Sequence, residues 1–575
     1  MPIAGRVALG SAAGAIVAAL IAPLIRPLFE VPTGGVGFVT VHQYPKGWDY
    51  AVVALLIGLS FVGGMLASRS GWRAGQSTAA GPAAVHSTVW PFTAVVFVLM
   101  LFAHDHPYQL METFHEGEHL TPAFQLREGA RPFGEVFFLH GLATDGGLDA
   151  LVLGDPPSPQ RARRLQTILD AIALALLVPI AAEVSATLFG VIAGAFASLC
   201  ALAAGQLTKT PYFRLLPVLI VTLALLRYVR TGSNRALAVA LSVSTLGLLW
   251  SLDTGTYALM GTLVVLIIRR PAARALVVSL IIALALPLLL LVVIRADIPQ
   301  FFLDSFVTIP RSIDAVWSLP APKSWSGEAA RYYVPPVLYG FLLALAARTG
   351  DRRRAAQILV LTILSILLFR TASGRVSWAH TRFALPLFGI VAVAFVIEPL
   401  VRSRRRVAAG VAIIAAGYLV EVIPNLRLGW DLVGGWNARR DHSHLVPYPF
   451  RTGKGIYTVA HDAADLAALN GFIHSLGPDA TFFNFSGERA LHYLLERQPP
   501  VRCPDINLLS SPVLLAEAMG QLRARPPSSV VVKGIEALQT FDGVPHEQRV
   551  PELAQWIEQN YPRRFEIGRF TVAVP

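Results

Sequence analysis

The residues best suited to chemistry crowd into one segment, Phe114-His115-Glu116-Gly117-Glu118-His119. Two carboxylates and two imidazoles share five positions, and the flanking stretches of chain are apolar. Charges at a membrane edge are costly, and function is their default meaning. A carboxylate partly withdrawn from water has a raised pKa and acts as a general base toward a hydroxyl. Glu116 is the first candidate for that role and Glu118 the second. The same string also reads His115-Glu116-x-x-His119, the spacing that sets two imidazoles one helical turn apart on zinc, with a glutamate base between them. Gly117 and the nearby Pro122 weaken the helix that this second chemistry needs, and His140 is the one downstream candidate for a further ligand.

The elements that must position these groups are membrane helices. Of 575 residues, 54% are hydrophobic and 15% charged, and the mean hydropathy is +0.56, which describes a polytopic membrane protein. The net charge of +12 comes largely from arginine clusters between apolar runs, so it points to membrane topology and not to nucleic acid. Cys200 lies in an apolar run and Cys503 in a polar tail, which leaves no disulfide framework. The apolar runs predict thirteen spans, at 7–29, 48–68, 89–103, 166–184, 186–203, 212–229, 236–250, 254–268, 275–294, 333–347, 355–369, 381–400 and 406–423. The first run continues past Pro23 to Phe29, longer than a signal peptide needs, and is read as a span.

Arginines orient the spans. Arg69 and Arg73 follow the second; Arg227, Arg230 and Arg235 the sixth; Arg269, Arg270 and Arg274 the eighth. Arg348 and Arg352–Arg354 follow the tenth, and Arg402 with Arg404–Arg406 the twelfth. Every cluster follows an even-numbered span, which sets the N-terminus in the cytoplasm and the C-terminus outside, in a plasma (inner) membrane. The pair 166–203 has no charged turn and is the weak link of the count.

Outside then lie loop 104–165, loop 295–332 and the tail 424–575, against a helical domain of residues 1–423. Within the first loop, Thr121–Glu128 reads as a short helix ended by Gly129, with Glu116 and Glu118 just before it. The tail reads as a soluble α/β domain, with strands at 480–486, 529–533 and 565–574 and helices at 488–497 and 551–560.

The loop resembles the first outer loop of GT-C membrane glycosyltransferases. Their His-Asp-Gly-Glu falls on His115-Glu116-Gly117-Glu118; a Gly follows at Gly129, then Pro132-Phe133-Gly134-Glu135 and Phe137-Phe138-Leu139-His140-Gly141. Glu116 stands where an Asp is usual, which keeps the choice between Glu116 and Glu118 open, and the loop follows the third span where the family has it after the first. Ser373-Gly374-Arg375, with His380, resembles a late outer-loop element of such enzymes. The tail, with Phe483-Asn484-Phe485-Ser486 and Ala490-Leu491-His492, is similar to their appended domains.

The resemblance implies a multi-span bundle, a polyprenyl-phosphate-linked sugar donor drawn from membrane lipid, and an acceptor hydroxyl on glycan, lipid or protein. It implies Glu116 or Glu118 as the base beside His115, and outward cations for the departing phosphate: Arg375 and His380 first, Arg311 and Lys209 in reserve. Asp253 is placed to bind a sugar hydroxyl, although a turn role beside Gly255 also accounts for it. Trp317 and Trp325 fit a sugar-stacking role and, more simply, an interfacial belt. His104, Asp105 and His106 have the donor types for a divalent cation. The competing readings are a carrier of lipid-linked sugar, an O-antigen polymerase or ligase, and last a zinc protease. A carrier is expected to show internal repeats and broken helices, and neither is legible here.

Overall fold

In lipid a backbone satisfies its own polar groups only as a helix or a closed barrel. The computed structural model describes residues 3–29, 34–68, 83–104, 110–203, 211–323, 326–399 and 441–575, and the apolar runs among them are helical. Eight helices are long and apolar enough to span a bilayer: Ala4–Leu28, Lys46–Ala67, Pro159–Val184, Tyr212–Thr231, Leu252–Arg269, Ala273–Val293, Gly327–Arg348 and Arg352–Gly374. Four shorter apolar helices, Val89–Ala103, Leu188–Leu202, Asn234–Trp250 and Phe388–Ile397, complete the first twelve expected spans. The thirteenth, 406–423, and the expected boundary at 423 lie outside the described residues.

Two spans differ from expectation. The fourth begins at Pro159, seated in the first turn after Ser158, so the loop before it is shorter than 104–165. The twelfth is interrupted. A short helix, Trp378–Phe383, stops before Pro386, and a second starts at Phe388.

Packing separates inner helices from lipid-facing ones. Tyr212–Thr231 is 78% buried, whereas Ala273–Val293, the most apolar of these eight, is 17% buried and exposes Ile281, Leu284 and Leu289. Ile3–Ile25 lies against Lys46–Ala67 at backbone contact, because a Cβ on Gly10 would collide with the Gly63 carbonyl and one on Gly14 with the Leu59 carbonyl.

One end of the bundle collects the described arginine clusters. Glu183 pairs with Arg230 at 2.7 Å and Arg227 at 3.3 Å. Arg348 donates to the Met65 carbonyl at 2.9 Å, and Arg354 to those of Val184 and Ala394. The uncharged turn after Val184 therefore shares this end with the clusters after the sixth, eighth and tenth spans, in keeping with the expected count.

The opposite end carries residues 110–158, 295–323 and 441–575. Helices Ile298–Leu303 and Ile309–Trp317, joined by a wider turn, lie between the helix ends and the tail. Buried Arg502 ties three segments together, reaching Asp304 at 2.5 Å, Glu517 at 2.6 Å and the Phe133 carbonyl at 3.0 Å. The tail holds a mixed sheet of β1 (Phe482–Asn484), β2 (Ser529–Lys533), β3 (Arg563–Ile567) and β4 (Phe570–Val574), in the order β1-β2-β4-β3. β1 and β2 are parallel and the other pairs antiparallel. The single strand expected at 565–574 is the β3–β4 hairpin, turned at Gly568 with φ of 56°. The helix expected over 488–497 shortens to Leu491–Leu494, because Glu488 to Ala490 bond elsewhere. Helices Ala460–Ser475 and Pro512–Ala524 are additional to the expected set.

Candidate active site

The acidic segment is itself helical. The helix runs His115–Arg127, so Glu116 and Glu118 occupy its first turn, where the sequence placed them just outside a later helix. Carboxylates suit that position, since they face the positive end of the helix dipole. Glu116 also accepts the Glu112 N–H at 2.8 Å. Gly117 costs about 1 kcal/mol of helix propensity relative to Ala, but tertiary contact needs it, because a Cβ there would collide with the Ala490 nitrogen and the Arg489 backbone. The Thr121 hydroxyl donates to the Arg489 carbonyl at 2.7 Å, and the Ala490 N–H donates to the Thr113 carbonyl at 2.9 Å. The tail thus grips the acidic helix by its backbone.

From there the two carboxylates diverge. Glu116 is held by buried Arg163 through two hydrogen bonds of 2.6 and 2.8 Å. Glu118 pairs with Arg489, whose other amino group reaches Asp505 at 2.5 Å. The raised pKa expected for these carboxylates is not what the structure gives. Burial pushes both up, but the guanidinium beside each outweighs it, so Glu116 lies below the usual range and Glu118 is held at about 2. Asp505 shares the Arg489 guanidinium but goes the other way, pushed up by burial and by the Glu118 charge despite the pull of Arg489.

Glu118, Arg489 and Asp505 line a cleft with Thr121, Phe137, His140, Asp145 and Asn484. Its cavity is about 50 Å³, room for a few waters and too small for a hexose. Glu116 does not line it. His140 bonds Asp145 at 3.1 Å and lies within electrostatic reach of Glu118 on one side and of Asp253 and His380 on the other.

The candidate residues on the helix bundle do not line this cleft. Asp253 opens Leu252–Arg269, where it accepts from the Ser251 hydroxyl and the Thr254 N–H, as a turn residue does. It also pairs with Arg214 at 2.8 Å, a contact that a turn does not require. His380 bonds the Ser377 hydroxyl at 2.8 Å through Nδ1, and its charged neighbours are Arg375, Arg214, His140 and Asp253. Arg375 makes a two-pronged pair with Asp542 at 2.8 and 2.9 Å and donates to the Trp317 carbonyl at 2.7 Å. Trp317 packs 4.8 Å from Phe541, with Arg375 at 5.4 Å and Arg489 at 5.8 Å from its ring.

Glu118, Asp253 and His380 thus lie within electrostatic reach of His140, and Arg375 within that of His380. His115 is within electrostatic reach of Glu118 but does not line the cleft; its side chain is 75% exposed and bonded to Glu112 at 2.7 Å. Arg311 is exposed on Ile309–Trp317. His119 pairs with Asp149, which outweighs burial and pushes its pKa up. The two imidazoles of the zinc pattern therefore serve different carboxylates, and among the described residues no cluster of three His, Cys, Asp or Glu is arranged to hold a metal. Asp105, His106, Lys209, Trp325 and the His104 side chain lie outside the described residues.

The sequence reading missed Arg489 and Asp505, which line the cleft, and Arg214 and Asp542, which pair with the candidates Asp253 and Arg375. Arg214 carried a signal. Like Arg375, it is an arginine at a span end on the side opposite the clusters that follow even-numbered spans, where the positive-inside rule gives no reason for one. Arg489 and Asp505 carried none, since their role appears only when the tail docks.

No family model matches this chain, and neither does any curated protein. Among solved structures it is similar to ArnT from Cupriavidus metallidurans. The apo form is 13% identical with a TM-score of 0.45, and the form bound to undecaprenyl phosphate is 16% identical with a TM-score of 0.44. Each match covers 85% of this chain and 98% of the other.

Proposed function

We propose that this chain is a membrane glycosyltransferase of the GT-C type, moving a sugar from a polyprenyl-phosphate donor to an acceptor hydroxyl at the non-cytoplasmic face. The observation that carries the reading is the cleft itself. An ionised carboxylate, Glu118, lines it beside His140 and Arg489 where the acidic helix meets the tail, and His140 lies within electrostatic reach of His380, which Arg375 and Arg214 neighbour. Together with the loop motif's resemblance to that family, this supplies a base and a set of cations at the membrane surface.

In this reading the acceptor oxygen attacks the anomeric carbon, and its proton passes to Glu118. The bond from the sugar to the phosphate oxygen breaks, and the phosphate leaves with the electron pair. Arg375 and Arg214 offset the charge that develops there, and a neutral His380 can donate a hydrogen bond. Glu118 is ionised throughout the physiological range, but Arg489 makes it a weak base. Asp505 offers Arg489 a second anchor, so the pair with Glu118 can loosen without leaving a buried cation alone. The arginine-rich end faces the cytoplasm by the positive-inside rule, with the cleft opposite. Of the two candidate bases, Glu118 lines the cleft and is preferred to Glu116.

Purified protein given a radiolabelled polyprenyl-phosphate sugar should release the sugar to an acceptor. Glu118→Gln should lower kcat by about 10²–10⁴-fold, the usual contribution of a general base. Full turnover in Glu118→Gln would remove the proposed base.

A further inference from the structure

A roomier cavity lies at the arginine-rich end of the bundle, away from the cleft. It measures about 300 Å³, against about 50 Å³ for the cleft, and ligand pockets begin at roughly that size. Three helices enclose it: the start of Val89–Ala103 and the ends of Pro159–Val184 and Tyr212–Thr231. Val89 and Pro179 give it an apolar lining, and both are buried. Trp90 stands at its rim, 61% exposed. Val95, Val98, Leu99 and Phe102 are exposed further along the same helix, so the cavity opens beside a lipid-facing surface.

Two guanidiniums on its wall face one carboxylate. Arg230 meets both oxygens of Glu183, at 2.7 and 3.2 Å, and by itself gives that carboxylate a two-pronged partner. Arg227 adds one bond of 3.3 Å to an oxygen that Arg230 already holds, and its side chain is 43% exposed. Among the described residues, Glu183 is the carboxylate that pairs with either arginine and the one that lines the cavity. Neighbouring groups do not cancel the surplus. Arg354 and Arg269 donate to the carbonyls of Val184 and Val229, which adds positive charge nearby. Glu398 accepts from the Ala186 N–H and the Thr187 hydroxyl and does not line the cavity. Water can fill a polar space of this size but leaves its charge in place, whereas an anion fills it and offsets the charge.

We propose that this cavity seats the headgroup of an anionic glycerophospholipid from the leaflet at the arginine-rich end. Arg227, which Glu183 needs least, takes the phosphate. Arg230 stays on Glu183 and holds the wall in shape. Trp90 packs against the glycerol at the depth where aromatic side chains sit in membranes, and the acyl chains follow the exposed face of Val89–Ala103. By the positive-inside rule that leaflet is the cytoplasmic one, whose negative surface favours anionic headgroups in basic pockets between helices. A lipid seated there bridges Val89–Ala103 to the inner helices, so its binding stabilises the bundle. The site does not depend on the transferase reading, whose cleft lies at the opposite end.

The experiment uses the full chain, delipidated in detergent, with lipid binding followed by native mass spectrometry and stability by thermal melting. Wild type should bind phosphatidylglycerol at least about fivefold more tightly than net-neutral phosphatidylcholine, and melt at a higher temperature with it. Arg227→Gln should bind phosphatidylglycerol at least about fivefold more weakly than wild type. Arg235→Gln removes the same charge from an exposed position at the same end that does not line the cavity, and should bind within about twofold of wild type. Equal losses in the two variants would mean diffuse attraction to a basic surface, and the proposal falls. Equal binding of the two lipids by wild type also sinks it. Soluble glycerol phosphate that competes as well as the lipid, or polyprenyl phosphate that displaces phosphatidylglycerol at equal concentration, would give the cavity another ligand and overturn the phospholipid. Wild type alone serves should Arg227→Gln misfold. Phosphatidylglycerol with a photoreactive headgroup should label the peptides that hold Trp90 or Arg227, and labelling confined to other peptides overturns the site.

Discussion

The two ends of the helix bundle both gather arginines and use them in opposite ways. At the basic end, Arg348 and Arg354 donate to backbone carbonyls at helix ends, and Arg227 and Arg230 share a single glutamate. Each contact ties neighbouring helices together. At the other end, Arg375, Arg489 and Arg214 pair with Asp542, Glu118 with Asp505, and Asp253. Those partners come from the tail, the acidic helix and the helix bundle, and the guanidiniums of Arg375 and Arg489 lie against aromatic rings. The first set staples helices. The second joins the tail to the acidic helix and to the helix bundle.

Substitutions at the two ends should separate these roles. The largest effect on stability is expected at Arg489. Arg489→Gln leaves the half-buried Glu118 and Asp505 without the buried cation between them, and loss of one partner of a buried pair costs about 3–5 kcal/mol. Its tail should become sensitive to limited proteolysis at concentrations of protease that leave wild type intact. Gly117→Ala comes next. It forces a methyl group into the Ala490 nitrogen, and overpacking of that kind costs about 1–3 kcal/mol. Ala is otherwise the better helix former, so destabilisation in a thermal melt identifies the contact with the tail as the cause.

Acid should act on the cleft end. The folded-state pKa values of Glu116 and Glu118 lie below the ordinary glutamate value of 4.5, so their contribution to stability is complete above that pH. It is lost as pH falls from 4.5 toward about 2, where Glu118 itself protonates. Asp505 is shifted upward and opposes the trend, because its protonation favours the folded state. Tryptophan fluorescence followed through that window should show the tail loosening, and Glu118→Gln should flatten the pH dependence. The smallest effect is expected at the basic end. Arg227→Gln removes a half-exposed partner of Glu183 that Arg230 still serves, and should change stability by no more than about 1 kcal/mol.

What was legible in the sequence follows the range of the forces involved. Apolar periodicity is local, so twelve spans could be placed. The arginine clusters are local as well, and they set which span ends gather together. The break in the twelfth span needed only Pro386, which was in plain view. The acidic segment could be recognised as important, but not resolved into its parts. Glu116 and Glu118 differ by two positions on a helix and therefore face different neighbours, Arg163 in one case and Arg489 in the other. The second neighbour arrives from 371 residues away. The same distance hid the helix start at His115, where Gly117 looked like a breaker and is instead the point of closest approach to the tail. The raised carboxylate pKa failed for the same reason. Desolvation was foreseeable from membrane location, and the guanidiniums that overrule it were not.

The divergence of Glu116 and Glu118 also gives the most direct test of the central claim. The account predicts that, with a polyprenyl-phosphate sugar as donor, Glu118→Gln folds and binds but loses turnover by at least about two orders of magnitude. It predicts that Glu116→Gln, which disturbs a pair outside the cleft, keeps kcat within a few-fold of wild type while losing stability. The reverse ranking, with Glu116→Gln inactive and Glu118→Gln fully active, would contradict it.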